Sequence, residues 1–317
     1  MSNVSRLVMI KEKEPISEGE ALDSFLAELD KGSEVKEIAG WESGFPALSR
    51  LLNGISPGLY LLIGPPACGK TTFAKQLCDQ VVQRNSIPAI FVTFTERKRE
   101  LRIMTLARLS GLENREIRRG SAFLLHWYGM PRARIKEADQ MAPSWEKLKK
   151  AAEGARGWLD LVYIFEGSEK TALQEVKDHI RRVQETKGSR QLLVIIDDSQ
   201  RLAPSDQYFD ARLALVAEQL QGLAVNHQVA VIATWPDLGK QGTSYHLSPW
   251  EWAERVANAD AVLVMENDVE RTKKLTEPNR AVTLHIAKNR DGEKGTVAFD
   301  FFPAVAKFLE ATPGPSG

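Results

Sequence analysis

The stretch Gly64-Pro-Pro-Ala-Cys-Gly69-Lys70-Thr71 decides the fold, because it satisfies the pattern GxxxxGK[ST] in full. In such a loop, glycines let the chain curl so that successive backbone N–H groups point inward at phosphate oxygens. The next helix would present its positive end, Lys70 would reach the β- and γ-phosphates, and Thr71 would hold Mg²⁺. The stretch predicts a site for a nucleoside triphosphate; a Gly-rich turn without a ligand is the alternative.

A loop of this kind needs a strand before it and a helix after it, and the flanking apolar and amphipathic runs predict both. Cys68 has no His or second Cys nearby in the sequence, so we interpret it as a small filler of the loop, not a nucleophile. The residues expected to contact the nucleotide are Gly64, Pro65, Pro66, Ala67, Cys68, Gly69, Lys70, Thr71 and Thr72.

From residue 40 onward, short apolar runs alternate with amphipathic stretches. This alternation predicts an α/β fold, with a mostly parallel twisted sheet flanked by helices. After Ala261 the pattern changes to strand runs separated by Gly, Asn and Asp turns, which predicts an antiparallel extension at one sheet edge. The predicted strands are 59–63, 89–94, 161–165, 192–197, 229–234, 261–265, 281–288 and 296–301.

The remaining segments define the predicted organisation. Residues 1–40 form a tether with a short amphipathic helix, which packs either on its own domain or on a neighbouring subunit. Residues 41–308 form the ATPase domain suggested by the loop, with an insertion at 121–143 that we interpret as an inserted loop or lid. Residues 309–317 are predicted to be a disordered tail.

Composition excludes several classes of protein. The apolar share of 43% supports a sizeable core and excludes a disordered chain. Lys plus Arg and Asp plus Glu both total 42, so any contact with nucleic acid must come from a local patch. Two cysteines form no disulfide framework, and no apolar run approaches the ~20 residues of a membrane span or the core of a signal peptide. These features predict a cytoplasmic protein without membrane contact.

Two carboxylates are candidates for organising Mg²⁺ and water. Asp197 immediately follows the apolar run 192–196. A P-loop protein needs a carboxylate at the end of another core strand to help hold Mg²⁺, and Asp197 is our candidate. Asp198 beside it is either an auxiliary group or a cap for the loop. Glu96 follows the strand ending at Phe94, and we place it at the tip of a strand neighbouring the P-loop, facing the γ-phosphate. The alternative for Glu96 is an acid favoured by a helix N-terminus.

Lys288 and Arg290 lie two residues apart at a strand end and are expected to face the same way. In a monomer they would be a solvated hairpin edge. In a ring they could reach a neighbour's γ-phosphate and stabilise the charge of the transition state.

In their order along the chain, these motifs resemble one family, the ATPase domain of DnaB-type replicative helicases within the RecA-like P-loop proteins. The resemblance covers about residues 20–308. The final piece is the most telling, because Lys-x-Arg followed by a hairpin and a phenylalanine-punctuated strand separates this branch from other RecA-like ATPases. The pieces include GWESGFPALSRLLNGISPG, FTERKREL, LSGLENREIRRG, LLVIIDDSQRL, ANADAVLVME and AKNRDGEKGTVAFDFFPAVAKF.

The resemblance implies a RecA-like core that binds ATP and Mg²⁺ and assembles as a homo-oligomer, a hexameric ring. By this resemblance Glu96 activates water, Asp197 is the Mg²⁺ carboxylate, and Lys288 and Arg290 are fingers acting in trans. Gln200 joins the nucleotide contacts. The helix of the N-terminal tether corresponds to the linker helix that docks on the adjacent subunit.

Three features depart from the family. The segment before the core is too short for the N-terminal domain that meets primase. Thr234-Trp235-Pro236-Asp237 stands where the family usually places a Gln that senses the γ-phosphate. The insertion at 121–143 is also unusual. These departures bear on translocation more than on ATP binding.

Two loops of the family line the ring channel and hold single-stranded DNA by its phosphates. The matching segments are 201–209 and 235–247, and repeated weak contacts around a ring could track a phosphate backbone. Ordinary polar surface loops are the alternative. The candidate DNA contacts are Arg201, Lys240, Gln241, Thr243, Ser244 and Tyr245.

Our leading hypothesis is an ATP-hydrolysing motor on single-stranded DNA that works with replication or recombination proteins. The second is an ATP-dependent switch or mediator that assembles with partner proteins and does not unwind DNA. The third is a nucleotide-binding protein without hydrolysis, in which Glu96 would be structural.

Overall fold

A computed structural model describes residues 38–119, 143–203, 209–237 and 248–311, together with Leu22 and Leu26. The strands are β1 (Gly58–Gly64), β2 (Ala89–Thr93), β3 (Val162–Glu166), β4 (Leu193–Asp197), β5 (Ala230–Pro236), β6 (Ala261–Asn267), β7 (Arg280–Asn289), β8 (Gly295–Phe302) and β9 (Lys307–Glu310). The helices are α1 (Pro46–Leu52), α2 (Lys70–Asn85), α3 (Lys98–Ser110), α4 (Asn114–Arg119), α5 (Pro143–Leu159), α6 (Leu173–Lys187), α7 (Phe209–His227), α8 (Pro249–Arg255) and α9 (Val269–Thr272).

All nine strands form a single sheet, in the order β3-β2-β4-β5-β1-β6-β7-β8-β9. Strands β1 to β6 pair in parallel, whereas β7, β8 and β9 pair antiparallel. The predicted fold class, a mostly parallel sheet with an antiparallel C-terminal extension, is confirmed. The extension starts at β7, one strand later than expected, because β6 still runs parallel to β1.

The core lies on both faces of the sheet, as expected for parallel strands covered by helices. Successive residues of β1 point to opposite faces, so Leu59 and Leu61 pack in one cluster and Tyr60 and Leu62 in the other. One cluster includes helices α1 and α2, and the other includes α6 and α7. This double burial anchors β1, and therefore fixes the position of the loop that follows it.

The last strand corrects the expectation of a disordered tail from residue 309. Phe308 is buried, and its backbone exchanges two hydrogen bonds with the side-chain amide of Gln76, at 2.7 and 2.9 Å. The carboxylate of Glu310 accepts the backbone N–H groups of Ala47 and Leu48 at 3.0 Å each. These contacts hold residues 307–310 in the sheet, while 312–317 lie outside the described residues.

Two other predicted segments are only partly described. Of the insertion at 121–143, only Pro143 is described, as the first residue of α5. Of residues 1–37, the structure describes Leu22 and Leu26, which are helical and 52% exposed. The rest of the predicted tether helix, with Phe25, lies outside the described residues. Among the described helices, none combines the length and the apolarity that crossing a bilayer requires.

Candidate nucleotide-binding site

The loop between β1 and α2 has the curled form that the motif predicts. Gly69 has φ +102°, and a Cβ atom there would lie 2.9 Å from Phe308 and 3.1 Å from Phe301, so only glycine fits. The ammonium of Lys70 donates to the carbonyls of Gly64 and Pro65 at 2.8 Å each. Helix α2 begins at Lys70, so its unpaired N–H groups open toward the loop.

Cys68 behaves as the sequence predicted. Its side chain is buried, and burial raises the pKa of the thiol above its usual value. A protonated, buried thiol is a poor nucleophile. Pro66 and Ala67 at the tip of the loop are exposed, so the loop presents its backbone to solvent and Cys68 fills the space beneath.

Asp197 lies at the carboxyl end of β4 beside the P-loop. The hydroxyl of Thr71 donates to its two carboxylate oxygens at 3.1 and 2.9 Å, which brings together the two residues predicted to hold Mg²⁺. The hydroxyls of Thr234 and Thr95 also donate to this carboxylate, at 2.9 and 3.3 Å. Burial raises the pKa of Asp197, and the hydroxyl donors from Thr234 and Thr71 oppose that shift.

This donor set fits a magnesium ion. Mg²⁺ prefers oxygen ligands, and it is bound in such sites by one carboxylate, a hydroxyl, substrate phosphates and water. Thr71 and Asp197 supply the hydroxyl and the carboxylate within hydrogen-bond distance of each other. The described residues contain no cluster of three or more His, Cys, Asp or Glu side chains able to hold a metal, so most ligands would come from the nucleotide and water.

Glu96 follows β2, but the position we expected for this strand was wrong. Strand β2 pairs with β4, with Thr93 opposite Asp197, and both β4 and β5 separate it from β1. The strand ends at Thr93, whose hydroxyl accepts the backbone N–H of Glu96 at 2.9 Å and donates to its carbonyl at 3.1 Å. Glu96 therefore approaches the site beside Asp197 and not beside the P-loop strand.

The electrostatic environment supports this placement of Glu96. Partial burial and the negative charge of Asp197 are the two largest causes that raise its pKa, followed by Glu100. Arg118 opposes the shift. A carboxylate with a raised pKa at the tip of a strand is suited to accept a proton from water.

Lys288 and Arg290 lie at the amino ends of β1 and β6. We call this side of the sheet the amino edge, and the side with Gly64 and Asp197 the carboxyl edge. Arg290 forms a salt bridge of 2.6 Å with Asp260, and its backbone N–H donates to the Asp260 carbonyl at 2.9 Å. The same carboxylate accepts the backbone N–H of Leu59, the second residue of β1, at 2.8 Å. The ammonium of Lys288 donates to the carbonyl of Ala257 at 2.5 Å.

This arrangement separates Arg290 from the P-loop of its own chain. Gly58 begins β1 and Gly64 ends it, which places the two ends of the strand about 20 Å apart at about 3.3 Å per residue. The guanidinium of Arg290 is 58% exposed, whereas Asp260 is only 12% exposed. Arg290 therefore extends into solvent from a buried anchor, at the edge opposite Gly64.

Thr72, another predicted nucleotide contact, lies in the first turn of α2. Of the predicted contacts outside the P-loop and this helix, Gln200 and Arg201 are described. They lie in a short 3-10 turn after β4, and both side chains donate to the carboxylate of Asp198, at 2.8 and 3.0 Å. Asp198 directly precedes this turn, and its carboxylate binds these two side chains but accepts no backbone N–H of the turn. The remaining candidate DNA contacts, Lys240, Gln241, Thr243, Ser244 and Tyr245, lie outside the described residues.

Sequence reasoning missed three residues that shape the site. Thr234 at the end of β5 donates to Asp197 and accepts the backbone N–H of Asp198 at 2.7 Å. Arg280 donates to the carbonyl of Ala67 in the P-loop at 3.0 Å. Asp260 anchors Arg290. Asp260 directly precedes the apolar run of β6, and Thr234 begins the segment where the family usually places a sensor Gln, but neither signal predicts the contacts seen here.

The geometry defines a class of protein. One strand separates the P-loop strand from the Asp197 strand, and a carboxylate follows the next strand at the same edge, which is the arrangement of a RecA-like P-loop nucleotide-binding core. The model of one family, the DnaB-like helicase C-terminal domain, matches residues 40–310. The chain belongs to this family.

Three individual proteins are also similar to this chain, at low sequence identity. The replicative DNA helicase DnaB of Pasteurella multocida is 26% identical over 200 residues, 62% of this chain and 38% of that protein. A probable replicative DNA helicase of Trieres chinensis is 22% identical over 316 residues, 95% of this chain and 64% of that protein. The solved ATPase domain of the protein G40P superposes with a TM-score of 0.70 at 22% identity, covering 94% of this chain and all of that domain. The chain thus spans less than two thirds of either relative.

Proposed function

We propose that this chain is an ATP-hydrolysing motor of the DnaB type that acts on single-stranded DNA as a hexameric ring. Membership of the DnaB-like helicase family supports the class of activity. The two separate half-sites at opposite edges of the sheet support the ring. Each subunit would bind Mg·ATP at its P-loop edge and present Lys288 and Arg290 to the next subunit.

At the carboxyl edge, different residues would have different roles in hydrolysis. Backbone N–H groups of the loop and Lys70 would bind the phosphates, with Thr71 and Asp197 holding Mg²⁺, which supplies charge neutralisation for phosphoryl transfer. Gln200 would contact the nucleotide from the turn after β4. Glu96 would orient the attacking water and accept its proton, since its raised pKa favours proton uptake.

One observation carries the proposal: Asp260 anchors Arg290 at the amino end of β1, about 20 Å from Gly64 by strand length. A cation at that distance cannot contact a phosphate in its own P-loop. It can stabilise transition-state charge only in a site formed with a neighbouring subunit, as arginine fingers acting in trans do.

DNA contact would come from the segments that follow β4 and β5. Arg201 is exposed in the turn beside Asp198, and the second segment supplies Lys240, Gln241, Thr243, Ser244 and Tyr245. Two cations per subunit, repeated around a ring, would give a weak and salt-dependent hold on phosphates. Replication or recombination proteins would be the partners of such a motor.

A second candidate function, an ATP-dependent switch that assembles with partner proteins, is favoured by the end of β5. Thr234 stands near the position where the family usually has a sensor Gln, and its hydroxyl is engaged with Asp197 and Asp198. The backbone N–H of Asp237 donates to the carbonyl of Gly64 at 2.8 Å. These contacts tie β5 to the nucleotide site without offering a Gln to the γ-phosphate.

One experiment separates the two functions. The ATPase rate is measured with and without single-stranded DNA over a series of salt concentrations, and the mass in solution is measured with and without nucleotide. Stimulation by DNA that declines with salt supports the motor. A rate indifferent to DNA supports the switch, and a monomer in every nucleotide state contradicts the shared site.

A further inference from the structure

A cavity of about 410 Å³ lies between α3, α5 and β3. Its size falls within the range of pockets that bind small organic molecules, roughly 300–1,000 Å³. Its walls combine apolar side chains with three cationic ones, a combination that neither ATP binding nor the DNA segments use. The lining residues are Lys75, Lys98, Arg102, Thr105, Leu106, Ala152, Leu159, Val162 and Ile164.

The innermost cation is neutralised. Lys75 is 1% exposed, forms a salt bridge with Asp79, and donates to the hydroxyl of Thr105 at 2.8 Å. Thr105 donates in turn to Asp79 at 2.7 Å, and Arg108 also pairs with Asp79. This buried group closes the inner end of the cavity without leaving a free charge for a ligand.

The two outer cations are different. Lys98 and Arg102 are one helical turn apart on α3 and line the same cavity. Within the described part of the chain, neither side chain is paired with a carboxylate. The carboxylate of Glu166 accepts the backbone N–H of Lys98 at 2.6 Å. The cations at the start of α3 therefore differ in their surroundings. Arg99 pairs with Glu100, whereas Lys98 and Arg102 line the cavity.

We propose that this cavity binds a small organic anion with an apolar body. The body would fill the space between Leu106, Ala152 and Ile164, and the anionic group would lie between Lys98 and Arg102. Inorganic phosphate would leave the apolar walls unfilled, and a neutral apolar molecule would leave the half-buried Lys98 and the exposed Arg102 without a counter-charge. The cavity lies against the helix that begins two residues after Glu96.

A matched pair of fluorescent probes tests the proposal. 1-Anilinonaphthalene-8-sulfonate has an apolar body and a sulfonate, and N-phenyl-1-naphthylamine is the same body without the charge. We expect the anionic probe to bind the folded protein at a single site, at least about tenfold more tightly than the neutral probe, as a charge-assisted contact permits. Equal affinity of the two probes would overturn anion recognition.

Charge variants locate the anionic group. Lys98→Gln and Arg102→Gln should each weaken the anionic probe about tenfold and leave the neutral probe unchanged. Arg97→Gln is the matched control, since Arg97 is exposed and does not line the cavity. An unchanged affinity for the anionic probe in both cavity variants would refute the site.

A filled cavity provides the second test. Ala152→Phe should abolish binding of both probes, whereas Glu153→Phe, on an exposed position of the same helix, should not. Thermal unfolding of both variants shows whether the fold is kept, and if Ala152→Phe unfolds, the charge variants decide. Probe binding that persists in a folded Ala152→Phe protein would place the site elsewhere and contradict the proposal.

Discussion

The two edges of the sheet present opposite kinds of chemistry. At the carboxyl edge, the hydroxyls of Thr71 and Thr234 donate to the carboxylate of Asp197, and the ammonium of Lys70 donates to a carbonyl of its own loop. At the amino edge, Arg290 extends from a buried carboxylate into solvent. The first edge is therefore assembled within one chain, whereas the second would, under the proposed function, act on a neighbouring subunit.

Strand β1 joins these two edges. Its first residues contact Asp260, the anchor of Arg290, and its last residue begins the P-loop. In a ring, the carboxyl edge of one subunit would meet the amino edge of the next. Breaking either edge should therefore stop hydrolysis, but only a defect at the carboxyl edge should also abolish nucleotide binding.

The largest effect is expected from Lys70→Ala. This variant removes the ammonium proposed to bind the β- and γ-phosphates, so kcat/KM for ATP should fall about 10³-fold or more, and nucleotide affinity should fall with it. A phosphate-release assay and a binding titration measure the two effects. Lys273→Ala removes an exposed lysine paired with Glu270 and is the control. Normal turnover in Lys70→Ala would refute the nucleotide site.

Arg290→Ala should have the next largest effect, and its signature differs. Under the proposed function the side chain acts only on the transition state in a neighbouring site, so kcat should fall about 10³-fold while nucleotide affinity stays within about twofold. Mixing this variant with Glu96→Gln should restore part of the rate. Such a mixture forms interfaces in which an intact Glu96 meets an intact Arg290.

The mixture also discriminates the two edges directly. Arg290→Ala and Glu96→Gln are each defective alone, and complementation requires that the two residues act from different chains. If the mixture shows only the sum of the two residual rates, the trans assignment of Arg290 fails, even though the P-loop assignment of Lys70 would stand.

Asp260→Asn should have a moderate effect. The asparagine oxygen can still accept the N–H of Leu59, but the charge that orients Arg290 is lost. Because the Arg290 side chain of this pair is 58% exposed, the ion pair is worth about 1 kcal/mol, which corresponds to about a fivefold fall in kcat without a change in KM. Asp178→Asn removes an exposed pair with Arg181 and is the control. A rise in kcat would mean that Asp260 restrains Arg290 instead of orienting it.

The sequence was sufficient for the parts of the site that depend on one local segment. The P-loop, the strand before it and the helix after it are specified by a continuous pattern, and Gly69 is required by its own backbone angle. Asp197 was found because it directly follows an apolar strand. The fold class followed from the alternation of strand and helix patterns.

Contacts between distant segments could not be predicted in the same way. The neighbour of β2 depends on strand order, which local pattern does not determine, so Glu96 was expected beside the P-loop strand and lies beside Asp197. The hydroxyl of Thr234 meets Asp197 across 37 positions of sequence. The disordered tail was expected from residue 309, but the carboxylate of Glu310 accepts the backbone N–H groups of Ala47 and Leu48, which lie 263 and 262 positions earlier.

The smallest expected effect is a shift in the pH dependence of kcat, which we attribute to Glu96 at the carboxyl edge. As a base, Glu96 must be ionised, and burial and Asp197 raise its pKa, so kcat should fall on the acid side at a pH above the usual range of a glutamate. Glu100→Gln should shift this acid limb to lower pH, and Arg118→Gln to higher pH, because the two side chains have opposite effects on the pKa of Glu96. Glu100 and Arg118 are partly exposed, so we expect both variants to fold, and Lys273→Gln is the control for the pH profiles of kcat.

The effect of pH on stability has the opposite sign. A raised pKa of Glu96 in the folded state favours folding at low pH, and that contribution is lost as the pH rises through the pKa. Glu96→Gln should therefore abolish the acid limb without lowering the unfolding temperature at neutral pH, and an acid limb unmoved by both surface variants would show that another group limits the rate.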